Sequence, residues 1–172
     1  MSFTAPQVRR AEPLQAGGER AMLESFLDYH RDTLLHKCSG LDTEQLRTAP
    51  VHASSLRLLG LVRHLADVEH YWFGVVLHHA ADLPFYGSED NPRVDLDEAE
   101  HADPAEAFDR YRAAVVFARE TADGYALDHV FEDHAGQPTS LRWIFLHMIE
   151  EYARHNGHAD LLRESIDGVT GE

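Results

Sequence analysis

Residues 140–166 read SLRWIFLHMIEEYARHNGHADLLRESI. Ile144, Met148, Tyr152, Ala159, Leu162 and Ile166 recur there at helical spacing. A helical residue advances about 100° around the axis, so with His147 set at 0° these six fall between about 60° and 140°. That is one apolar stripe on one long helix. Thr139 or Ser140 can cap its start, and Gly168 stops it.

Three more helices follow from the same periodicity. Over 19–36 the stripe is Met22, Leu23, Phe26, Leu27, Leu34 and Leu35; over 54–81, with Ser54 or Ser55 as cap, it includes Leu58, Leu61, Leu65, Val68, Trp72, Val75 and Val76. Asp103-Pro104 with Glu106 opens a helix that runs to Asp123, with Phe108, Tyr111, Val115, Val116, Ala118 and Ala122 inward and Gly124 at its end. Residues 41–46 read as a single helical turn, and His129 to Phe131 as one short extended segment. The prediction is an all-α, up-and-down four-helix bundle over residues 19–168, preceded by a flexible N-terminal arm, 1–18. A long acidic loop, 82–103, separates the second and third helices; broken by Pro84, Gly87 and Pro92 and carrying Phe85 and Tyr86, it is expected to cover or border a cavity.

Composition narrows the partners. Thirty acidic against 15 basic side chains leave a net charge of -15 over 172 residues. That disfavours nucleic acid, whose binding rests on Lys and Arg against phosphate, and an anionic membrane surface. The single cysteine, Cys38, excludes an intramolecular disulfide and a cysteine-based zinc site. No apolar run is long enough to span a membrane and the N-terminus lacks a signal-peptide pattern, so a cytoplasmic protein is expected. Histidine is the unusual figure, at 13.

Three of these side chains project together. On the last helix His155 falls at about 80°, inside the apolar stripe, and Glu151 at about 40°, on its margin, while His158 and Arg154 turn toward solvent. On the second helix His64 shares a sector with Arg57, Leu61, Val68, Tyr71 and Val75, whereas Arg63, Asp67, Glu69 and His70 lie outside it. Two inward histidines and an inward carboxylate from two helices are the donors of an open Zn²⁺ or Fe²⁺ site. The same residues also read as a hydrogen-bonded core histidine and an ordinary i, i+4 pair. His30, His36, His52, His70, His78, His79, His101, His129 and His134 read as surface or loop residues, with His147 and His158 as reserve ligands.

Two motifs carry a resemblance. Leu61-Val62-Arg63-His64-Leu65-Ala66-Asp67-Val68-Glu69 with Tyr71-Trp72-Phe73 is similar to the second-helix motif of the DinB superfamily of four-helix proteins. The segment from Ser140 through His147, Glu150-Glu151-Tyr152-Ala153-Arg154-His155-Asn156-Gly157-His158 to Glu164 resembles the last helix of its mini-circle protein branch. Gly40-Leu41 to Leu46, Asp95 to Asp97 and Asp103-Pro104 extend the similarity, which covers about residues 20–168. The superfamily holds a divalent metal with one side chain from the second helix and two from the last. Many members use three histidines; the related mycothiol-dependent maleylpyruvate isomerases use His, Glu and His, and this chain matches the latter at His64, Glu151 and His155.

The resemblance implies a divalent cation, Zn²⁺ foremost with Ni²⁺ or Fe²⁺ as alternatives. It also implies a low-molecular-weight thiol such as mycothiol, bacillithiol or glutathione, acting as a metal-bound thiolate on a small electrophile. Three classes stay open: a thiol S-transferase or isomerase, a metal-dependent hydrolase with an acid such as Glu69 as base, and a noncatalytic metal-binding stress-response protein. Arg142 and Arg154 are candidates for holding substrate carboxylates, Cys38 is expected to be idle, and a homodimer through exposed apolar helix faces is expected of such bundles.

Overall fold

A computed structural model describes residues 3–78, 86–87, 91, 93–133 and 135–171. It is a helical bundle. The long elements are α1 (Glu19–Cys38), α3 (Leu58–Glu69) with its π-helical continuation His70–Leu77, α5 (Pro104–Asp123) and α6 (Leu141–Asp167). Two short helices, α2 (Thr43–Arg47) and α4 (Val94–Asp97), sit in the connections. Strands β1 (Val130–Glu132) and β2 (Pro138–Ser140) pair antiparallel in a small hairpin before α6, realising the extended segment expected near Phe131. α1 packs chiefly on α6 and α3 on α5, and α3 also meets α6, so α3 lies at the centre. Among the described residues no helix is long and apolar enough to cross a membrane.

The termini follow from local chemistry. Ser140 Oγ accepts the Trp143 amide and Gly168 closes α6 in the left-handed region at φ 77°. Asp103 caps α5 by accepting the Ala105 amide. Asp42 and Gln45 form a reciprocal capping box that stabilises α2 over only five residues. The second long helix differs from expectation at its start. Neither Ser54 nor Ser55 caps it; Ser54 Oγ accepts the Leu56 amide in a local turn, and α3 begins at Leu58 after Arg57. Its expected end, 79–81, lies outside the described residues.

The core runs through Leu27, Leu34, Leu61, Leu65, Phe73, Phe108, Tyr111, Ile144, Met148 and Tyr152. Phe26 and Val116, assigned inward from periodicity, are exposed instead. Each is the direct neighbour of a better-placed apolar residue, Leu27 or Val115, about 100° around the helix. Arg63 and Glu69, expected away from the interior, are buried because α3 is covered on several sides. Part of the 1–18 stretch is tied to the bundle. Ala5 exchanges backbone hydrogen bonds with Leu41 and Gly40, Phe3 packs on Phe108, and Val8 donates to Ser39 Oγ.

Candidate metal and thiol site

α3 and α6 bring His64, Glu151 and His155 together. One potential ligand atom from each lies within 4.8 Å of the others, and all three side chains are partly buried. The His64 and His155 rings meet edge-on at 4.7 Å between centroids. His155 Nε2 stands 3.4 Å from Glu151 Oε2. Two donors each about 2.1 Å from one cation at the tetrahedral angle stand ~3.4 Å apart, so this pair already has a ligand spacing.

Behind His64 stands a carboxylate that helix periodicity alone does not mark. Asp95 Oδ2 is 2.7 Å from His64 Nδ1. A carboxylate only accepts, so the bond places the proton on Nδ1 and leaves the lone pair of Nε2 for a cation. Asp95 is buried, and its other oxygen accepts the Leu96 amide. α4 presents it. Arg63 donates to the carbonyls of Val94 and Asp95, and α4 packs closely over Gly60, where a Cβ would stand in ordinary contact with Leu96 and Ala99 at 3.4 Å. Thus the second half of the 82–103 segment borders the site. Tyr86 lies instead against Arg63 and Arg110, and Phe85 falls outside the described residues. His158 Nδ1 comes within 3.4 Å of His155 Nδ1, so each site histidine has a polar neighbour on its far nitrogen.

Electrostatics favour a neutral His155. Burial pushes the His155 imidazolium down, and the nearby His64, His158 and Arg154 add to this, bringing it to about 4. His155 is therefore an unprotonated base at neutral pH, the form a ligand needs.

Other candidates are placed elsewhere. Glu69 is fully buried, clamped by Arg31 through two 2.7 Å bonds and receiving the Tyr152 hydroxyl at 2.8 Å. Although burial alone would lower Arg31, the Glu69 carboxylate raises it above its usual range. Removing Glu69 from this clamp would leave the buried Arg31 guanidinium with only the half-exposed Asp28, at 2.9 Å, as its anion, so Glu69 is engaged as a structural counter-charge in the core. Burial pushes the Cys38 thiol up to about 12, which leaves it unreactive. Arg142 pairs with Glu19 and Arg154 with Glu150. A separate cavity of about 160 Å³ opens among Glu24, Asp28, Arg31, Phe73, Arg119 and Phe145, and none of the three site residues lines it. His30, read as a surface residue, is half-buried beside Asn156, and burial lowers its basicity. His79 and His134 lie outside the described residues.

Next to the site on α6, His147, Glu150 and Glu151 form a second close group that shares Glu151 with the first. The His147 ring stacks on Trp143 at 4.8 Å and 11°, and meets Trp72 at 4.9 Å.

Compared with known families, residues 22–168 match the family described as Mycothiol-S-transferase. The chain belongs to the mycothiol S-transferase family. This family lies within the DinB-like superfamily, in keeping with the second-helix and last-helix motifs. No curated protein gives a significant match. For a mycothiol S-transferase family member the relevant ligand class is a thiol, and the His64–Glu151–His155 group offers two borderline imidazole nitrogens and one hard carboxylate oxygen, all partly exposed.

Proposed function

We propose that the chain is a divalent-metal-dependent S-transferase that joins the sulfur of mycothiol to a small electrophile, with His64, Glu151 and His155 as the metal ligands. The observation that carries this reading is the convergence of the three side chains with Asp95 locking the His64 tautomer. Metal-binding histidines regularly give their second nitrogen to a carboxylate. Two imidazoles and one carboxylate suit Zn²⁺ first, with Fe²⁺ and Ni²⁺ also accepted by nitrogen and oxygen donors. When bound, such a cation supplies the Lewis acidity that keeps a thiol deprotonated at neutral pH.

The chain's own groups do the rest. Asp95 and His158 orient the two imidazoles, and Glu151 contributes the negative charge that lowers the net charge of the site. The thiol proton passes to solvent, the sulfur lone pair forms the new S–C bond, and the leaving group departs with its electron pair. Partial exposure of the site residues gives both reactants access. A hydrolase is disfavoured because Glu69 is held by Arg31 and Tyr152.

The test is metal analysis and turnover of the parent and His155→Ala proteins. The parent is expected to hold about one metal per chain and to conjugate mycothiol with a chromogenic aryl halide. The variant is expected to lose both while keeping its helical circular dichroism, since its core stripes remain intact. Metal bound as tightly by the variant as by the parent overturns the ligand assignment.

A further inference from the structure

The three-residue site leaves a neighbouring feature unused. Trp72, Trp143 and His147 form one contiguous aromatic shelf: Trp72 and Trp143 centroids are 5.1 Å apart, and each ring also contacts His147. Tyr71 packs edge-on against Trp72 at 5.0 Å. Trp143 is 45% exposed, and Leu146 beside it is 53% exposed. Leaving this much aromatic and aliphatic surface in water is a mark of a binding surface when the residues are contiguous. The shelf joins the site directly, because Glu151 has ligand atoms within 4.8 Å of those of His147 as well as of His64 and His155.

Charge decides which thiol suits such a shelf. The chain carries -15 overall. The three arginines of α6 are all engaged in ion pairs, Arg142 with Glu19, Arg154 with Glu150 and Arg163 with Asp167. Glutathione and bacillithiol each carry carboxylates that would need a cation here. Mycothiol carries none: its cysteine is amide-linked to a glucosamine joined to inositol, a neutral body covered in hydroxyls. The face of an indole ring is the negative end of its quadrupole. Sugar C–H bonds, polarised by their oxygens, are attracted to it, and the Glu150 and Glu151 carboxylates at the shelf's edge accept hydroxyl protons. Eight residues of α6 separate Trp143 from Glu151, about 12 Å of rise, a length comparable to a cysteine amide carrying two six-membered rings.

We infer that the Trp72–Trp143–His147 shelf binds the glucosaminyl-inositol body of the thiol, so that selection for a neutral, hydroxyl-rich thiol is made by stacking rather than by ion pairing. The inference rests on the proposed S-transferase reading for the position of the sulfur, but the shelf's own affinity does not need the metal.

The experiment uses S-methyl mycothiol, which cannot react, and the full-length protein with and without chelator. Trp72 and Trp143 are the chain's two tryptophans, so intrinsic fluorescence reports the shelf directly. Saturable quenching is expected in both metal-loaded and metal-free protein, with at least a tenfold weaker Kd in Trp143→Ala and a near-parental Kd in Trp143→Phe. In turnover, Trp143→Ala is expected to raise KM for mycothiol about tenfold with kcat little changed, and to leave KM for N-acetylcysteine unaltered. Equal Kd in Trp143→Ala and parent overturns the inference. So does glutathione competing as well as S-methyl mycothiol. A Trp143→Ala variant that turns from dimer to monomer in sedimentation with unchanged KM shows the shelf to be a subunit contact, and this also overturns it. If quenching holds but the protein carries neither metal nor activity, the S-transferase reading alone fails.

Discussion

At the scale of single residues, the chemistry of the site turns on which nitrogen of His64 holds a proton. Asp95, at 2.7 Å and buried, decides this by accepting from Nδ1. Replacing it with Asn puts an amide in the same place, which can donate as well as accept and no longer favours one tautomer. Asp95→Asn is expected to weaken metal binding about 10–100-fold. Asp95→Glu should recover part of the loss if the longer side chain reaches His64. Chelator-competition titration measures both. A change of less than about threefold in Asp95→Asn means the bond does not tune the ligand.

At the scale of elements, the site depends on α4 resting on α3. The two pack closely at Gly60, where a Cβ would just fit against Leu96 and Ala99 at 3.4 Å. Gly60→Leu adds four carbons, three of them beyond that Cβ with no space to fill, at a cost of about 1–3 kcal/mol. The strain is relieved by lifting α4, which draws Asp95 from His64. Urea unfolding should show the lost stability, and competition titration should show weakened metal binding without loss of the α6 ligands. Undiminished metal affinity in a variant destabilised by this amount would show that His64 does not rely on α4. The π-helical stretch His70–Leu77 is the other element with consequences. Beyond Glu69 the 100° step no longer holds, so Trp72 reaches His147 and Trp143 on α6 by a path that a regular helical wheel does not describe.

At the scale of the whole molecule, folding and protonation are linked through His155. Its folded-state basicity is depressed to about 4 from an ordinary value of 6.5. The unfolded chain therefore binds the extra proton between those values, and stability present above pH 6.5 is lost as the pH falls toward 4. For the metal-free protein this contributes about 2 kcal/mol between pH 7 and pH 5. His155→Gln removes the titrating group, so its urea-unfolding free energy should fall less over the same interval than that of the parent. Parallel pH dependences in the two proteins would show that His155 is not held neutral by the fold. Saturating metal adds stability by mass action, about 2.7 kcal/mol at a hundred times Kd, and a rise in Tm with added Zn²⁺ measures it.

Much of this was present in the order of residues. Apolar periodicity determined four helices, because side chains three and four positions apart must share a face whatever surrounds them. It also turned His64, Glu151 and His155 inward, and the motifs around them carried the family. What the periodicity could not contain was the partner of each inward face. Glu69 falls outside the His64 sector on a wheel, yet Arg31, 38 residues earlier, meets it in the core. Asp95 belongs to an acidic, Pro-broken segment without any repeat, and only the docking of α4 against Gly60 and Arg63 carries it to His64. The aromatic shelf likewise joins residues from two helices that are about 70 positions apart. Local spacing determines which face a residue occupies; only the packing of distant elements decides what that face meets, because such contacts depend on the close fit of whole surfaces rather than on neighbours along the chain.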